Sequence, residues 1–438
     1  MPRSVRRLPE SRAGAQIHER RLTNGLRILV AERHLDPVVA VLLFYRVGSV
    51  DEAEHEAGVS HFLEHMMFKG SAQFGKGAVD ELTARLGGQN NAFTSYDHTG
   101  YWFELAADRW EHALEVEADR MRGLLLDPDE FDAERQVVLE ELAMGEDDPW
   151  SVLGRRVEAA LFQRHPYGRP IIGHASALAG LDPEGMARFH RRFYCPANAT
   201  LVVAGDVTVG RVTRAARRHF GELQGGDEPE RTYRAPIEEP GGETRLRMFW
   251  PDEGQRLCVA WPTVAVGSFE DDVLDVLVTL LTSGRRSRLQ RRLVLDSDLA
   301  LSVSAQNDTR VASGAFWIMI EATRSASVEA VEAALDEELE RLAHERVKPA
   351  ELDRARSILA AAEDYEGETV SDLAYELGGF AVDADWRMAF DARARLARIR
   401  PADVRDVAQR LLARGRRVVG WCLPETQTAA NRGRGRGA

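Results

Sequence analysis

One short stretch near the N-terminus, residues 58–70 with the sequence GVSHFLEHMMFKG, limits what this chain can fold into more than any other feature. Its apolar residues recur at steps of three and four positions, which predicts an amphipathic helix. Gly58 or Ser60 can begin this helix, and Gly70 can end it. The sequence therefore predicts a single short helix whose polar face is rich in ionisable side chains.

That polar face carries His61 and His65 one turn apart, with Glu64 beside them. Two imidazoles at positions i and i+4 can bind one zinc ion, and a neighbouring carboxylate can accept a proton from water. The order H-x-x-E-H reverses the more familiar H-E-x-x-H. The alternative is two helical histidines beside an unrelated glutamate. Because only 12 of the 438 residues are His, chance would produce this pattern in roughly 0.03 chains of this length.

Composition restricts the class of protein. With 438 residues, 44% of them hydrophobic, the chain can bury more than one core, and two or three domains are expected. A formal net charge of -13 argues against a nucleic-acid-binding protein. The acidity fits a solvated acidic surface, or alternatively an acidic cavity for basic peptides.

Cysteine usage and apolar runs bear on compartment. Cys195, Cys258 and Cys422 are odd in number and far apart, so they predict buried free thiols and no disulfide framework. No run approaches the roughly 18 apolar residues that span a bilayer, so no membrane association is expected. Residues 1–21 are rich in Arg and lack an apolar core, which indicates a cytoplasmic protein. A true start further upstream with a signal peptide would make it periplasmic.

The second half of the chain repeats the first in outline. Residues 257–261 resemble 41–45 in type, and 418–423 match 201–204. A helix at 271–281 takes the place of the histidine-bearing helix but contains no His. We predict an N-terminal extension at 1–15, a catalytic domain at 16–225, a linker at 226–243, a second homologous domain at 244–425 and a disordered tail at 426–438.

A zinc ion held by two histidines needs a third protein ligand and an open position. The predicted helix over 129–144 carries Glu134 and Glu141, which lie seven residues apart and therefore on one face. The alternative is a solvated acidic helix with no role at a metal.

Taken together, these motifs resemble the pitrilysin/insulinase family of zinc peptidases, in particular its half-size bacterial members related to mitochondrial processing peptidase. The matching stretches span most of residues 20–425. They are residues 58–71, 88–94, 134–141, 165–168, 194–198, 203–206 and 283–289.

The resemblance implies a zinc site with His61, His65 and Glu141 as ligands. It implies Glu64 as general base, and Glu134 as a carboxylate that holds a ligand histidine. The implied fold is α+β, with two homologous domains that each form an antiparallel-rich sheet with helices packed on one face.

The resemblance also implies that residues 91–94 form an edge strand that binds an extended peptide substrate by strand addition. The alternative is an ordinary half-buried strand. The residues concerned are Asn91, Ala92, Phe93 and Thr94. The substrate is either general oligopeptides or one dedicated peptide, such as the precursor of a peptide-derived quinone cofactor.

The second half departs from the family pattern. The family carries an arginine and a tyrosine after S-R-L that reach the substrate and the oxyanion. The register set by residues 287–289 puts Val294 and Leu301 at those positions, and neither side chain donates a hydrogen bond. We therefore expect a homologous partner subunit without zinc to supply the pair. An active homodimer with another oxyanion donor, and a non-catalytic scaffold subunit, are the alternatives.

Overall fold

A computed structural model describes residues 14–226, 229, 237 and 241–425. Most of the predicted N-terminal extension and linker, and all of the predicted tail at 426–438, lie outside the described residues. All three cysteines are buried and none is in a disulfide, as predicted.

The described residues form two mostly antiparallel sheets surrounded by helices. The strands are β1 (Gln16–Arg21), β2 (Arg27–Glu32), β3 (Val38–Tyr45), β4 (Gln89–Thr94), β5 (Thr99–Ala106), β6 (Ala199–Gly205), β7 (Thr244–Trp250), β8 (Gln255–Pro262), β9 (Ala300–Asp308), β10 (Ala315–Ala322) and β11 (Val418–Pro424). The helices are α1 (Val59–Met66), α2 (Ala78–Leu86), α3 (Glu111–Gly123), α4 (Pro128–Glu146), α5 (Pro149–Phe162), α6 (Ala175–Gly180), α7 (Pro183–Phe193), α8 (Val209–Phe220), α9 (Phe269–Thr282), α10 (Val328–His344), α11 (Pro349–Glu366), α12 (Val370–Asp383), α13 (Met388–Arg398) and α14 (Pro401–Leu411), with a π-helical segment at Gln290–Leu295. None of the helices in the described ranges combines the length and the apolar character that crossing a bilayer requires.

The first sheet has the strand order β1-β2-β6-β3-β5-β4 within residues 14–226. Its pairs are antiparallel except β2 with β6, which is parallel. The central strand β3 is buried almost along its whole length, because successive side chains face opposite sides of the sheet and both sides are covered. Val41 and Leu43 pack towards α1 and α3, whereas Ala40 and Leu42 pack on the other face.

The helix on that other face is α12, which comes from the second half of the sequence. Leu373, Ala374 and Leu377 of α12 pack against Leu42 and the neighbouring residues of the sheet. The approach is close at Gly378, where an added Cβ would lie 2.0 Å from the ring of Phe44. Glycine is therefore required at this point of the helix.

The second sheet has the order β7-β11-β8-β10-β9 within residues 241–425. Helix α9 and helix α14 cover one face with the second large apolar cluster. Helix α5, from the first half of the sequence, covers the other face. There, an added Cβ at Gly420 would lie 2.6 Å from Val157 and 3.1 Å from Leu153. If β1 is left aside, the two sheets have matching strand orders, and the parallel pair β7/β11 matches β2/β6.

The predicted fold class is confirmed: two similar α+β units, each with an antiparallel-rich sheet and helices on one face. The structure adds one helix on the opposite face of each sheet. The compact units are therefore discontinuous. Among the described residues, one unit comprises 14–142, 170–226 and 362–392, and the other comprises 143–169, 241–361 and 393–425. They differ from the predicted ranges 16–225 and 244–425 because α5 and α12 each pack on the sheet formed by the other half of the chain.

Candidate active site

Gly58, one of the two residues that the sequence predicted for the start of helix α1, is its N-cap. Gly58 has a φ of 97°, and an added Cβ would lie 2.5 Å from the carbonyl oxygen of Ile172. The first turn is capped by Glu52, whose buried carboxylate accepts hydrogen bonds from the backbone N–H groups of Gly58 and Ser60, both at 2.8 Å. Because free N–H groups at a helix start favour a negative charge, Glu52 fixes where α1 begins.

The end of α1 differs from the prediction of Gly70. The helix ends at Met66, and the chain continues in tight turns in which the N–H of Lys69 donates to the carbonyl of Met66 at 3.0 Å. These turns keep the residues after Met66 close to the helix. Gly70 instead has a φ of 143° and turns the chain away.

Helix α4 packs against α1 through two aromatic rings. The ring centroids of Phe62 and Phe131 lie 4.6 Å apart. Phe131, Glu134 and Val138 form the buried stripe of α4, because positions three and four apart share one face of a helix. Glu141 is exposed but lies three positions after Val138 on the same face. The packing of two apolar residues therefore places both carboxylates on the side of α4 that faces the histidines of α1.

His61, His65 and Glu141 converge on one point. One ligand atom from each residue lies within 4.8 Å of the other two. Oε2 of Glu141 lies 3.8 Å from Nε2 of His61 and 3.6 Å from Nε2 of His65, which is too long for hydrogen bonds. Zinc–ligand bonds of about 2.0–2.2 Å place two ligand atoms of one ion roughly 3–3.6 Å apart. The two separations from Glu141 lie at or slightly above this range, and the donor set of two imidazoles and one carboxylate fits a zinc ion with an open position.

Glu134 contacts two side chains, His65 in the last turn of α1 and Lys69 in the turns that follow the helix. Its Oε1 lies 2.8 Å from Nδ1 of His65, and its Oε2 lies 2.5 Å from Nζ of Lys69. Burial alone would raise the pKa of Glu134, but the hydrogen bonds from Lys69 and His65 outweigh it and lower that pKa. Since an ionised carboxylate only accepts hydrogen bonds, His65 donates from Nδ1. The other ring nitrogen, Nε2, is the one that faces Glu141, at 3.6 Å.

The pKa shifts of His61 and Glu64 suit the same arrangement. Burial lowers the pKa of His61 to about 4, and the neighbouring His65 contributes to the same shift. His61 is therefore neutral near pH 7, the form that binds metals. Burial raises the pKa of Glu64, against the effect of a hydrogen bond from Thr94. Buried away from water, Glu64 is a stronger base than an exposed glutamate.

The predicted substrate-binding residues form the last part of β4, which is an edge strand of the first sheet as described. The hydroxyl of Thr94 donates to Oε2 of Glu64 at 2.6 Å, and Ala92 packs against the core beneath α1. The ring of Phe93 faces the opposite side, 5.6 Å from that of Tyr375. The Ala92 N–H donates to Oδ1 of Asn91 at 2.9 Å.

The second unit holds the same elements without the ligands. Helix α9 takes the position of α1 in the chain order and contains no histidine. Helices α4 and α11 both begin at a proline, Pro128 and Pro349, which differ by 221 positions. The same offset puts Ala355 and Ala362 at the places of the two α4 carboxylates. Throughout the described ranges, the group of His61, His65 and Glu141 is the one cluster of three or more His, Cys, Asp or Glu that could hold a metal.

The two apolar residues at the family's Arg and Tyr positions lie in different settings. Val294 is partly buried against the core of the second unit, within the π-helical segment. Leu301 lies on the edge strand β9 and is 63% exposed.

Three contacts at this site were not predicted from the sequence: the cap from Glu52, the ion pair of Lys69 with Glu134, and the hydrogen bond from Thr94 to Glu64. For Lys69 a signal was available, since it follows His65 by four residues. The cap from Glu52 depends on how the loop before α1 folds back onto the helix start. The bond from Thr94 to Glu64 depends on the position of β4 beside α1.

Two models of known families match long stretches of this chain. Residues 27–175 match the family described as Insulinase (Peptidase family M16), and residues 180–359 match the Peptidase M16 inactive domain. The zinc protease PqqE of Helicobacter pylori is 29% identical over 393 residues, 88% of each chain. An uncharacterised zinc protease of Mycobacterium tuberculosis is 34% identical over 321 residues, 72% of each chain.

Solved structures give the same result for the fold. A protease from Helicobacter pylori superposes with a TM-score of 0.89 at 26% identity, covering 94% of this chain and all of that one. The periplasmic protease PqqL from Escherichia coli superposes with a TM-score of 0.80 at 20% identity, and the match covers 97% of this chain but 49% of PqqL. The chain therefore belongs to the insulinase family of peptidases, family M16.

Proposed function

We propose that this chain is the zinc-binding subunit of an endopeptidase, in which His61, His65 and Glu141 hold zinc and Glu64 is the general base. The observation that carries the proposal is the separation of roles in the site. Three ligand atoms converge within 4.8 Å, while Glu64 is held apart by its hydrogen bond to Thr94. A set of three ligands and one separate carboxylate is what metal-assisted hydrolysis of a peptide requires.

When bound, zinc supplies Lewis-acid chemistry that polarises the scissile carbonyl and makes water acidic enough to lose a proton near neutral pH. Glu64 accepts that proton as the water oxygen bonds to the carbonyl carbon. Glu64 then gives the proton to the leaving nitrogen as the carbon–nitrogen bond breaks. Burial favours this role, because it raises the pKa of Glu64 towards the range in which a carboxyl group both accepts and donates.

The substrate proposed for this site is an extended peptide that pairs with the edge strand β4. Edge strands present unpaired backbone groups to which a peptide can add. The Ala92 N–H, which donates to the side chain of Asn91 at 2.9 Å, is one donor for which such a peptide would compete. Pairing through the backbone places little demand on side-chain identity, which suits hydrolysis of varied peptides.

The proposal includes a homologous partner subunit that supplies the Arg/Tyr pair. Support comes from Val294 and Leu301, which cannot donate hydrogen bonds from their side chains to an oxyanion. A homodimer would contain the same two residues twice, so it would need a different donor. A scaffold subunit is the remaining alternative, and the joint presence of both α4 carboxylates with Glu64 argues against it.

The deciding experiment is a hydrolysis assay with a library of quenched-fluorescence peptides, on the chain with and without a homologous subunit that carries the Arg/Tyr pair. We expect cleavage that a chelator abolishes and that added zinc restores. The matched control is His112→Ala, which removes an exposed histidine outside the site. Zinc bound at one equivalent without cleavage of any peptide, in any combination of subunits, would favour the scaffold role instead.

A further inference from the structure

The hydrogen bond between Thr94 and Glu64 joins the strand proposed to bind substrate to the proposed base. The Thr94 hydroxyl donates to Oε2 of Glu64 at 2.6 Å. A hydroxyl has one proton to donate, so this bond commits it to Glu64. The bond uses one of the two carboxylate oxygens of Glu64.

Thr94 is held on a rigid frame. It pairs with Thr99 of β5, and the turn that follows is closed by the N–H of Ser95, which donates to the carbonyl of His98 at 2.8 Å. The carbonyl of Ser95 accepts in turn from the N–H of Ser49 at 3.2 Å. An added Cβ at Gly48 would lie 2.4 Å from the carbonyl oxygen of Ser95. The turn is therefore in close contact with the segment that leads from β3 to α1.

The alternation of side chains along β4 explains why Thr94 reaches α1. Ala92 packs with the core beneath α1, and Phe93 packs on the opposite face against Phe44 and Tyr375. Residues two apart on a strand share a face, so Thr94 faces α1 together with Ala92. A change of one residue in the register of β4 would turn the hydroxyl away from Glu64.

We propose that Thr94 is a positioning residue that orients Glu64 for proton transfer and sets it in register with a peptide bound along β4. The inference rests on the proposed peptidase function. A glutamate has three rotatable side-chain bonds, and a hydrogen bond from a rigid strand selects one of its orientations. Because a displacement of about 1 Å can cost on the order of 10²-fold in rate, this orientation has a measurable effect. The peptide pairs with the backbone of β4, so removal of the hydroxyl leaves substrate binding largely unchanged.

The test compares Thr94→Val, Thr94→Ser and the control Thr213→Val in the assembled, zinc-loaded enzyme. Thr213 lies in α8, and its hydroxyl donates to the carbonyl of Val209 at 2.7 Å, so the control loses a similar bond elsewhere. We expect Thr94→Val to lower kcat by about 10- to 100-fold, with KM within about 2-fold and zinc content unchanged. Thr94→Ser keeps the donor and is expected to recover kcat to within about 3-fold of wild type.

Two further measurements separate positioning from a general structural effect. In a Glu64→Gln background, Thr94→Val should lower the residual rate by less than about 2-fold. If Thr94 acts only through Glu64, its effect disappears once Glu64 can no longer accept a proton, so the two substitutions are not additive. Crystal structures of the wild type and Thr94→Val should show the Glu64 carboxylate displaced in the variant. An unchanged kcat in Thr94→Val, equal losses in the Ser and Val variants, or an unmoved Glu64 would each overturn the inference.

Failure of the proposed function has a different signature. If the wild-type enzyme with zinc and its partner hydrolyses no peptide, the peptidase proposal fails, and the two crystal structures alone then decide whether Thr94 orients Glu64.

Discussion

Nδ1 of His65 lies 2.8 Å from Oε1 of Glu134, although the two residues are 69 positions apart in the chain. The contact exists because α4 packs on α1 through aromatic rings one turn away from both residues. It fixes the ring of His65 so that the opposite nitrogen faces Glu141 at 3.6 Å. The proposed zinc site is therefore held in shape by apolar packing and by a carboxylate outside the proposed ligand set.

Loss of a single ligand should weaken zinc binding while the fold persists. His61→Ala and Glu141→Gln each leave two of three proposed protein ligands, so we expect zinc affinity to fall by at least about 10-fold. Competition with a chromogenic chelator measures this directly. The control is Glu140→Gln, which removes an exposed carboxylate next to Glu141 in α4. Unchanged affinity in both ligand variants would contradict the proposed ligand set.

One substitution tests the role of Glu64 in proton transfer separately from zinc binding. Glu64→Gln preserves the shape of the side chain but cannot accept a proton, so turnover should fall by about 10² to 10⁴-fold. Zinc content should equal that of the wild type, because Glu64 is not among the converging ligand atoms. Metal analysis and the peptide assay are run on the same preparation, with Glu81→Gln, at an exposed glutamate of α2, as control. Wild-type turnover in Glu64→Gln would exclude the role in proton transfer.

Much of this site could be predicted from the sequence because its signals are local. The spacing of His61, Glu64 and His65 depends only on the geometry of one helix, and the spacing of Glu134 and Glu141 on that of another. The edge strand at 91–94 was predicted from the resemblance, and its position at the end of the sheet agrees with that expectation.

The contacts that were not predicted depend on how elements pack. An amphipathic pattern shows that α5 and α12 each bury one face, but it does not tell which sheet they cover. The cap from Glu52 depends on a loop folding back onto the helix start. The bond between Thr94 and Glu64 depends on the register of β4 beside α1. In each case the residue type can be read from the sequence, but its partner is determined only by the fold.

Helix α12, which packs on the sheet formed by the other half of the chain, offers a test of packing with its own control. Gly378 and Gly379 are adjacent in α12, but an added Cβ would lie 2.0 Å from Phe44 at the first position and meets nothing within 4 Å at the second. Ala in place of Gly usually stabilises a helix by about 0.5–1 kcal/mol. We expect Gly379→Ala to show this gain.

At Gly378 the steric conflict with Phe44 should make the same substitution destabilising instead of stabilising. Overpacking of this kind typically costs about 1–3 kcal/mol, so Gly378→Ala should be less stable than the wild type in urea unfolding. Equal stabilisation by the two substitutions would show that α12 does not pack on Phe44 as described.

His190 should make stability depend on pH. Burial lowers its pKa to about 4, below the value of about 6.5 for an unfolded chain. The unfolded state then binds the proton more readily, so stability is fully present above pH 6.5 and is lost as pH falls towards 4. Between pH 7 and pH 5 the expected loss is about 2 kcal/mol.

The measurement is the difference in unfolding free energy between the wild type and His190→Phe, taken at both pH values on zinc-free protein. Phe keeps an aromatic ring beside Tyr194, with which His190 stacks at 5.0 Å, but it cannot be protonated. The difference should shift in favour of the variant as pH falls. The control is His112→Phe at an exposed position. A similar shift in that variant would assign the pH dependence to histidines in general.

The last prediction concerns the partner. The register predicted from residues 287–289 puts Val294 and Leu301 at the positions of the Arg/Tyr pair, and Leu301 is 63% exposed on an edge strand. Loss of one oxyanion donor typically costs about 10²–10³ in rate. Two donors that act as a unit cost less than the product of their separate effects. We therefore expect the chain alone to be at least about 10²-fold less active than its mixture with a homologous subunit that carries the pair.

The assay compares the chain alone, the partner alone and the equimolar mixture, each with a chelator control. Substitution of the arginine in the partner should abolish most of the gain on mixing, because zinc remains bound but the oxyanion loses a donor. The matched variant in this chain is Arg291→Ala, which removes an exposed arginine near Val294 and should leave the activity of the mixture unchanged. Full chelator-sensitive activity of the isolated chain would contradict the need for a partner. It would show that an oxyanion donor is already present among the residues of this chain.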